Sequence, residues 1–182
     1  IMSSNHGVEF IRYYEAMCNR DNFTASIRIT HTGSLWGLDF LIKSSIIKLD
    51  ELQKLVEKSY RPKLKLIDYE EGIGIYTHAP INFACLESLA RKFNVKYGDN
   101  ENEPNFFDLL SKEINQRYQN NPQGLDLMNE FNPTNSGAYP QDCDNWPLFH
   151  LIWYRPNPNM RSNWSNLSDI KGRRVLNVHG HD

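Results

Sequence analysis

The sequence predicts an α/β domain, on three observations. Apolar residues recur every three to four positions in several stretches, as amphipathic helices require. Short runs of β-branched and aromatic residues, bounded by turn formers, alternate with those stretches. Of 182 residues, 40% are apolar, 23% charged and 12% aromatic, which suits one folded domain with a real core.

Each element follows in order. Residues 1–3 read as the end of a strand, and Ser4-Asn5-His6-Gly7 as a loop. Residues 8–19 carry Val8, Ile11, Tyr14 or Glu15, and Cys18 at helical spacing. The Gly33 to Gly37 region breaks the next stretch. A helix is expected over 48–58, with Leu49, Leu52, Leu55 and Val56 on one face and Asp50 and Glu51 in its first turn; Arg61-Pro62 ends it. Residues 64–68 and 73–77 read as a hairpin around a Glu-Glu-Gly turn, with His78 directly after it. A helix over 82–93 has Asn82 as N-cap and Phe83, Leu86, Leu89, Ala90 and Phe93 as its buried stripe. Another runs over 104–118, with Pro104 in its first turn. Residues 120–144, rich in Asn, Pro, Gly and Asp, read as a long loop or insertion. The dense apolar run 148–154 reads as a buried strand, with Trp153 in the core. A polar loop follows at 157–168. The last strand, 174–178, runs into His179-Gly180-His181-Asp182.

Charge and cysteine usage exclude some functions. The net charge is −2 with both signs interspersed. Lys171, Arg173 and Arg174 form the one small basic cluster, too little for a nucleic-acid backbone. Cys18, Cys85 and Cys143 are odd in number and match no zinc-knuckle spacing, so they read as thiols in a reducing, cytoplasmic compartment. No apolar run approaches the ~18–20 residues of a membrane span, and no signal peptide is visible. Ile1 precedes Met2 and the chain stops within a loop, so both ends read as cut from a longer chain.

Three predicted strands end in loops bearing metal-ligand or acid–base side chains: Asn5-His6, His78, and His179 through Asp182. A fourth predicted strand ends in Arg155. Ligands gather beyond strand ends in sheets with helical flanks. Imidazole and amide or carboxylate oxygen suit Zn, Fe or Mn, and an arginine offers a fork for phosphate oxygens. Each piece alone also fits a structural or solvent-facing residue; their order and context raise them above that.

Four segments carry a resemblance. IMSSNHGVEFIRYYE at 1–15, IYTHAPI at 75–81, LIWYRP at 151–156 and VLNVHGHD at 175–182 are similar, in this order, to motifs of the phosphoprotein-phosphatase branch of the calcineurin-like metallophosphatases, in its bacterial form. More loosely, the chain resembles phosphatases that intracellular bacteria deliver as effectors. The resemblance implies a central β-sandwich flanked by helices, with the site at strand-end loops. It implies a metal-dependent phosphatase acting on phosphate monoesters through a water activated by two divalent cations, Mn first, with Fe or Zn as alternatives. Asn5, His78 and His181 would bind the second metal, with His179 competing for the last place. His6 would protonate the leaving oxygen, and Arg155 would hold the substrate phosphate. His31 and His150 match no motif and read as structural or surface residues. The partner would be a phosphorylated protein or small phosphoester.

The sequence also departs from those motifs. Ser4 stands where Gly is usual, Gly7 where an acid is usual, and Ala79-Pro80 where a Gly pair is common. The family's first two motifs, which supply the first metal's ligands and the bridging Asp, are absent, and are expected before Ile1. The chain thus reads as the C-terminal portion of one domain, inactive alone, with an insertion at about 120–145. Two other functions fit the same residues: a non-catalytic metal-binding or interaction module, and a dinucleotide-polyphosphate hydrolase on the same fold.

Overall fold

The first helix starts before its apolar pattern does. The computed structural model describes residues 2, 4–71, 74–81, 85–96, 103–120, 147–153, 167–170 and 173–180. In it α1 spans Asn5–Cys18, with Ser4 as N-cap. The Ser4 hydroxyl accepts the Gly7 N–H at 3.0 Å, satisfying one of the donors that a helix start leaves open. The loop expected at 4–7 is therefore largely helical, because a side-chain cap extends the helix beyond the apolar stripe.

Two helices absent from the sequence expectations fold back on α1. Helix α2 spans Asn22–His31 and α3 spans Leu35–Lys43. With α1 they enclose a small core of Tyr13, Ala16, Ala25, Ile29 and Leu35. Thr24, Ile27, Ile29 and Thr30 lower the helix propensity of α2, but burial of Ala25 and Ile29 overrides it. Asp21 caps α2, accepting the Thr24 N–H at 3.0 Å. Gly37 lies inside α3, and a Cβ there would meet nothing within 4 Å. It marks no turn, so the break expected from Gly33 to Gly37 is confined to the start of that stretch.

Helix α4, Leu49–Leu55, continues through a π turn at Val56–Tyr60 and a 3₁₀ turn at Arg61–Lys63. Its expected apolar face is only partly correct. Leu55 is 60% exposed while Val56 is buried. Leu49, Leu52 and Val56 follow i, i+3, i+7, and Leu55 falls off that line.

The expected hairpin forms from β1, Ile67–Glu70, and β2, Gly74–Thr77, paired antiparallel. Helices α5, Cys85–Phe93, and α6, Glu103–Asn120, fall on the stretches expected as helical, while the expected cap Asn82 and the stripe residue Phe83 lie outside the described residues. Leu86, Leu89, Ala90 and Phe93 are buried as expected. Asn115 of α6 accepts the Leu66 N–H at 2.8 Å and donates to the Ile67 carbonyl at 2.7 Å. A helix side chain thus satisfies backbone groups beside an edge strand.

The strand expected at 148–154 is instead a helix, α7, Pro147–Ile152. Pro147 suits a first helical turn, and Leu148, Leu151 and Ile152 bury one face at spacings of three and four. A short apolar run cannot distinguish strand from helix by periodicity. Trp153 packs half-buried against the main core, as anticipated. His150 is fully buried, in keeping with a structural role.

β3, Leu167–Ile170, overlaps the stretch expected as polar loop, and β4, Arg173–His179, is the expected last strand. LSDI has too little alternation to announce a strand; antiparallel pairing with β4 makes it one. The sheet order is β1-β2-β4-β3, with β2 and β4 parallel. The described strands form this one sheet, and the expected insertion from residue 121 lies outside the described residues. No helix among the described residues is long and apolar enough to cross a membrane.

Candidate metal and phosphate site

Parallel pairing brings two of the predicted loops side by side. Thr77, the last residue of β2, lies opposite His179, the last residue of β4. One position further on, the Gly180 N–H donates to the His78 carbonyl at 3.2 Å. His78 and the residue preceding His181 are therefore hydrogen-bonded neighbours. A third tie reaches the helix that replaces the predicted fourth strand: the Ala79 N–H donates to the Leu151 carbonyl at 3.0 Å. That fixes the end of α7, four residues before Arg155, against the His78 turn.

The Asn-His segment lies at the same end of the sheet. Met2 forms a parallel bridge with Lys65, two residues before Ile67, which pairs with Thr77. From there the chain enters α1, with Asn5 and His6 in the first turn and the His6 side chain exposed. The positive end of a helix dipole favours an anion nearby.

His78 is half-buried. His179 is also half-buried, and its Nδ1 is enclosed without a hydrogen-bond partner. Buried polar atoms normally have partners, so this nitrogen keeps His179 in contention with His181. Arg155 and His181 lie outside the described residues. Among the described residues, no three His, Cys, Asp or Glu side chains gather as a metal cage. The donor chemistry at this end of the sheet, two adjoining imidazole-bearing strand ends, nevertheless fits a cation that takes nitrogen and oxygen ligands.

Sequence reasoning missed the charged array that seats α1. Glu9, Arg12 and Glu15 are all buried on one helix face, against buried Arg28 of α2 and Arg61 of the 3₁₀ turn. Arg61 Nη2 donates to Glu15 Oε1 at 2.7 Å, and Arg28 lies 3.3 Å from Glu9. Burial pushes the Glu15 carboxyl up to about 7, against the pull of Arg61. Burial, reinforced by Arg28, brings Arg12 down to about 10 despite Glu9 and Glu15. Burying a charge is unfavourable unless it is paired, and the close pairs tie α1 to α2 through Glu9–Arg28 and to the 3₁₀ turn through Glu15–Arg61. The array's only sequence signal is the Glu-x-x-Arg-x-x-Glu spacing, which reads equally as a solvated surface ladder.

A family model described as "WipA-like, phosphatase domain" matches residues 1–182. Among solved structures, the phosphatase domain of the Legionella effector WipB has the same fold, with a TM-score of 0.72 at 22% identity. That match covers 100% of this chain and 60% of the WipB chain. No curated protein sequence matches.

Proposed function

We propose, from the premise that the chain belongs to the WipA-like phosphatase domain family, that it forms part of a metal-dependent phosphatase of calcineurin-like type acting on phosphate monoesters, chiefly of phosphoproteins. The observation that carries this reading is the parallel β2–β4 register, which sets His78 beside the Gly180 that precedes His181.

In this reading the four-stranded sheet is one layer of a β-sandwich. Two divalent cations, Mn first, with Fe or Zn as alternatives, would be held in part by Asn5, His78 and His181, with His179 competing. When bound they supply Lewis acidity and a water of lowered pKa. The remaining ligands, including a bridging carboxylate, would come from outside residues 1–182. His6, exposed at the start of α1, protonates the leaving oxygen. Arg155, a few residues beyond α7, holds the phosphate through its planar fork. Delivery into a host cell belongs to the same proposal, supported by a fold neighbour that is itself an effector.

The test uses the full-length protein, with metal content and aryl phosphate hydrolysis measured together. His78→Ala and His181→Ala should lose metal and activity. His6→Ala should keep its metal while kcat falls by about 10²–10⁴, the usual contribution of a general acid. Full metal content in both ligand variants would refute the site. Comparing phosphotyrosine peptides, phosphoserine peptides and dinucleotide polyphosphates then fixes the substrate class.

A further inference from the structure

A buried amide on β4 reaches across to the turn that carries His78. Asn177 lies two residues before His179, is 5% exposed, and directs its side chain under the neighbouring strand end. Its Oδ1 accepts the Ile81 N–H at 2.9 Å. Its Nδ2 donates to the Ile75 carbonyl at 3.2 Å and to Thr77 Oγ1 at 3.0 Å. The Thr77 hydroxyl in turn donates to the Ala79 carbonyl at 2.7 Å. The amide therefore grips the chain on both sides of His78 and links to the residue after it. Both ordinary amide donors are used, and every group involved is buried or strand-paired.

Two features tie these contacts to the site. The contacts span 96 to 102 residues of sequence, so they fix two distant loops against each other. They also lie next to the Gly180–His78 backbone bond, so the amide and that bond together hold the point where the two strand ends meet. A ligand imidazole binds well only when its backbone is held, and groups that orient ligands typically change metal affinity 10–100-fold when removed.

We infer that Asn177, acting with Thr77, is a positioning residue that holds the His78 turn against the end of β4, so that His78 is presented to a cation at this strand end. This deepens the proposed function and rests on its metal reading.

The experiment compares wild type, Asn177→Ala, Asn177→Asp, His78→Ala and Asn115→Ala in the full-length protein. Asn177→Asp retains the acceptor for Ile81 but loses both donors, and is the variant to use if the alanine form does not fold. Asn115→Ala removes a similar buried amide from the Leu66–Ile67 backbone, away from the His78 turn. Co²⁺ binding is followed by visible absorption, and amide hydrogen exchange by mass spectrometry over 74–81. Both Asn177 variants should exchange faster over 74–81 and bind Co²⁺ about tenfold or more weakly, with an altered absorption band. Asn115→Ala should leave Co²⁺ affinity within about twofold, even where it lowers Tm. Unchanged exchange or unchanged Co²⁺ affinity in the Asn177 variants overturns the inference while leaving the metal reading intact. An equal loss of affinity in Asn115→Ala also overturns it, by reducing Asn177 to general stability. Identical Co²⁺ binding by wild type and His78→Ala defeats the metal reading itself, and the positioning role with it.

Discussion

Replacing Arg61 with methionine should destabilise the protein in a pH-dependent way. The Glu15–Arg61 pair is 2.7 Å apart, with side-chain exposures of 3% and 8%. Methionine retains much of the apolar stem but leaves Glu15 without its charged partner. Removing one member of a buried pair typically costs about 3–5 kcal/mol, a large share of the ~5–15 kcal/mol that holds a domain together. The pH dependence follows from Glu15. Its folded pKa is raised, from 4.5 to about 7. The stability associated with its neutral form is therefore full below about pH 4.5 and is lost as pH rises through about 7. At about 1.4 kcal/mol per pH unit, the wild-type effect is bounded at about 3 kcal/mol. Without Arg61 nothing on the 3₁₀ turn opposes burial, so Glu15 stays protonated to higher pH. The Arg61→Met penalty should then be larger at pH 8 than at pH 5 by about 1 kcal/mol, because above about pH 7 only the variant keeps the Glu15 proton. Urea denaturation of Arg61→Met at the two pH values measures this, and Glu15→Gln in the same background should recover most of the loss at pH 8. A penalty equal at both pH values, or no rescue by Glu15→Gln, would refute the reasoning.

Two further outcomes follow from local geometry. Ser4→Ala should cost about 1 kcal/mol by removing the α1 cap and should speed amide exchange at Gly7, whereas Ser4→Gly should cost only a few tenths; equal losses in chemical denaturation would show that the hydroxyl is no cap. Gly74→Ala would drive a Cβ into the Leu176 carbonyl across the β2–β4 pair, so thermal melting should show a loss of about 1–3 kcal/mol. An unchanged Tm would mean that the two strands do not approach as closely as described.

The fold was legible where a single stripe repeats and obscure where packing decides. Leu86, Leu89, Ala90 and Phe93 announce α5 because one apolar face accounts for all of them. Helix α2 has no comparable announcement. Its buried face includes Arg28 beside Ala25 and Ile29, and a buried arginine is invisible to a hydrophobicity pattern. Helix α7 fails differently: Leu148, His150, Leu151 and Ile152 are all fully buried, so their run has no polar side from which to read a period. β3 depends on its partner, since four residues with one serine and one aspartate become a strand by pairing with β4.

The candidate site divides along the same line. Residue types and their order selected His78 and the His179–His181 segment, and the register then made neighbours of strands that are about 100 residues apart in sequence. What holds them could not be read in advance, because Asn177 in a run of apolar residues looks like an interruption of a strand until its amide is seen bridging Ile75 and Ile81. Ser4 makes the same point from the opposite side. Read against the resembled motif, serine in place of glycine weakens the Asn-His segment. In the fold its hydroxyl closes the first turn of α1 on the Gly7 amide, fixing the backbone from which Asn5 and His6 project. A glycine there could adopt the same backbone but could not make that bond. The departure therefore gives the first turn of α1 a cap that the glycine of the resembled motif would not supply.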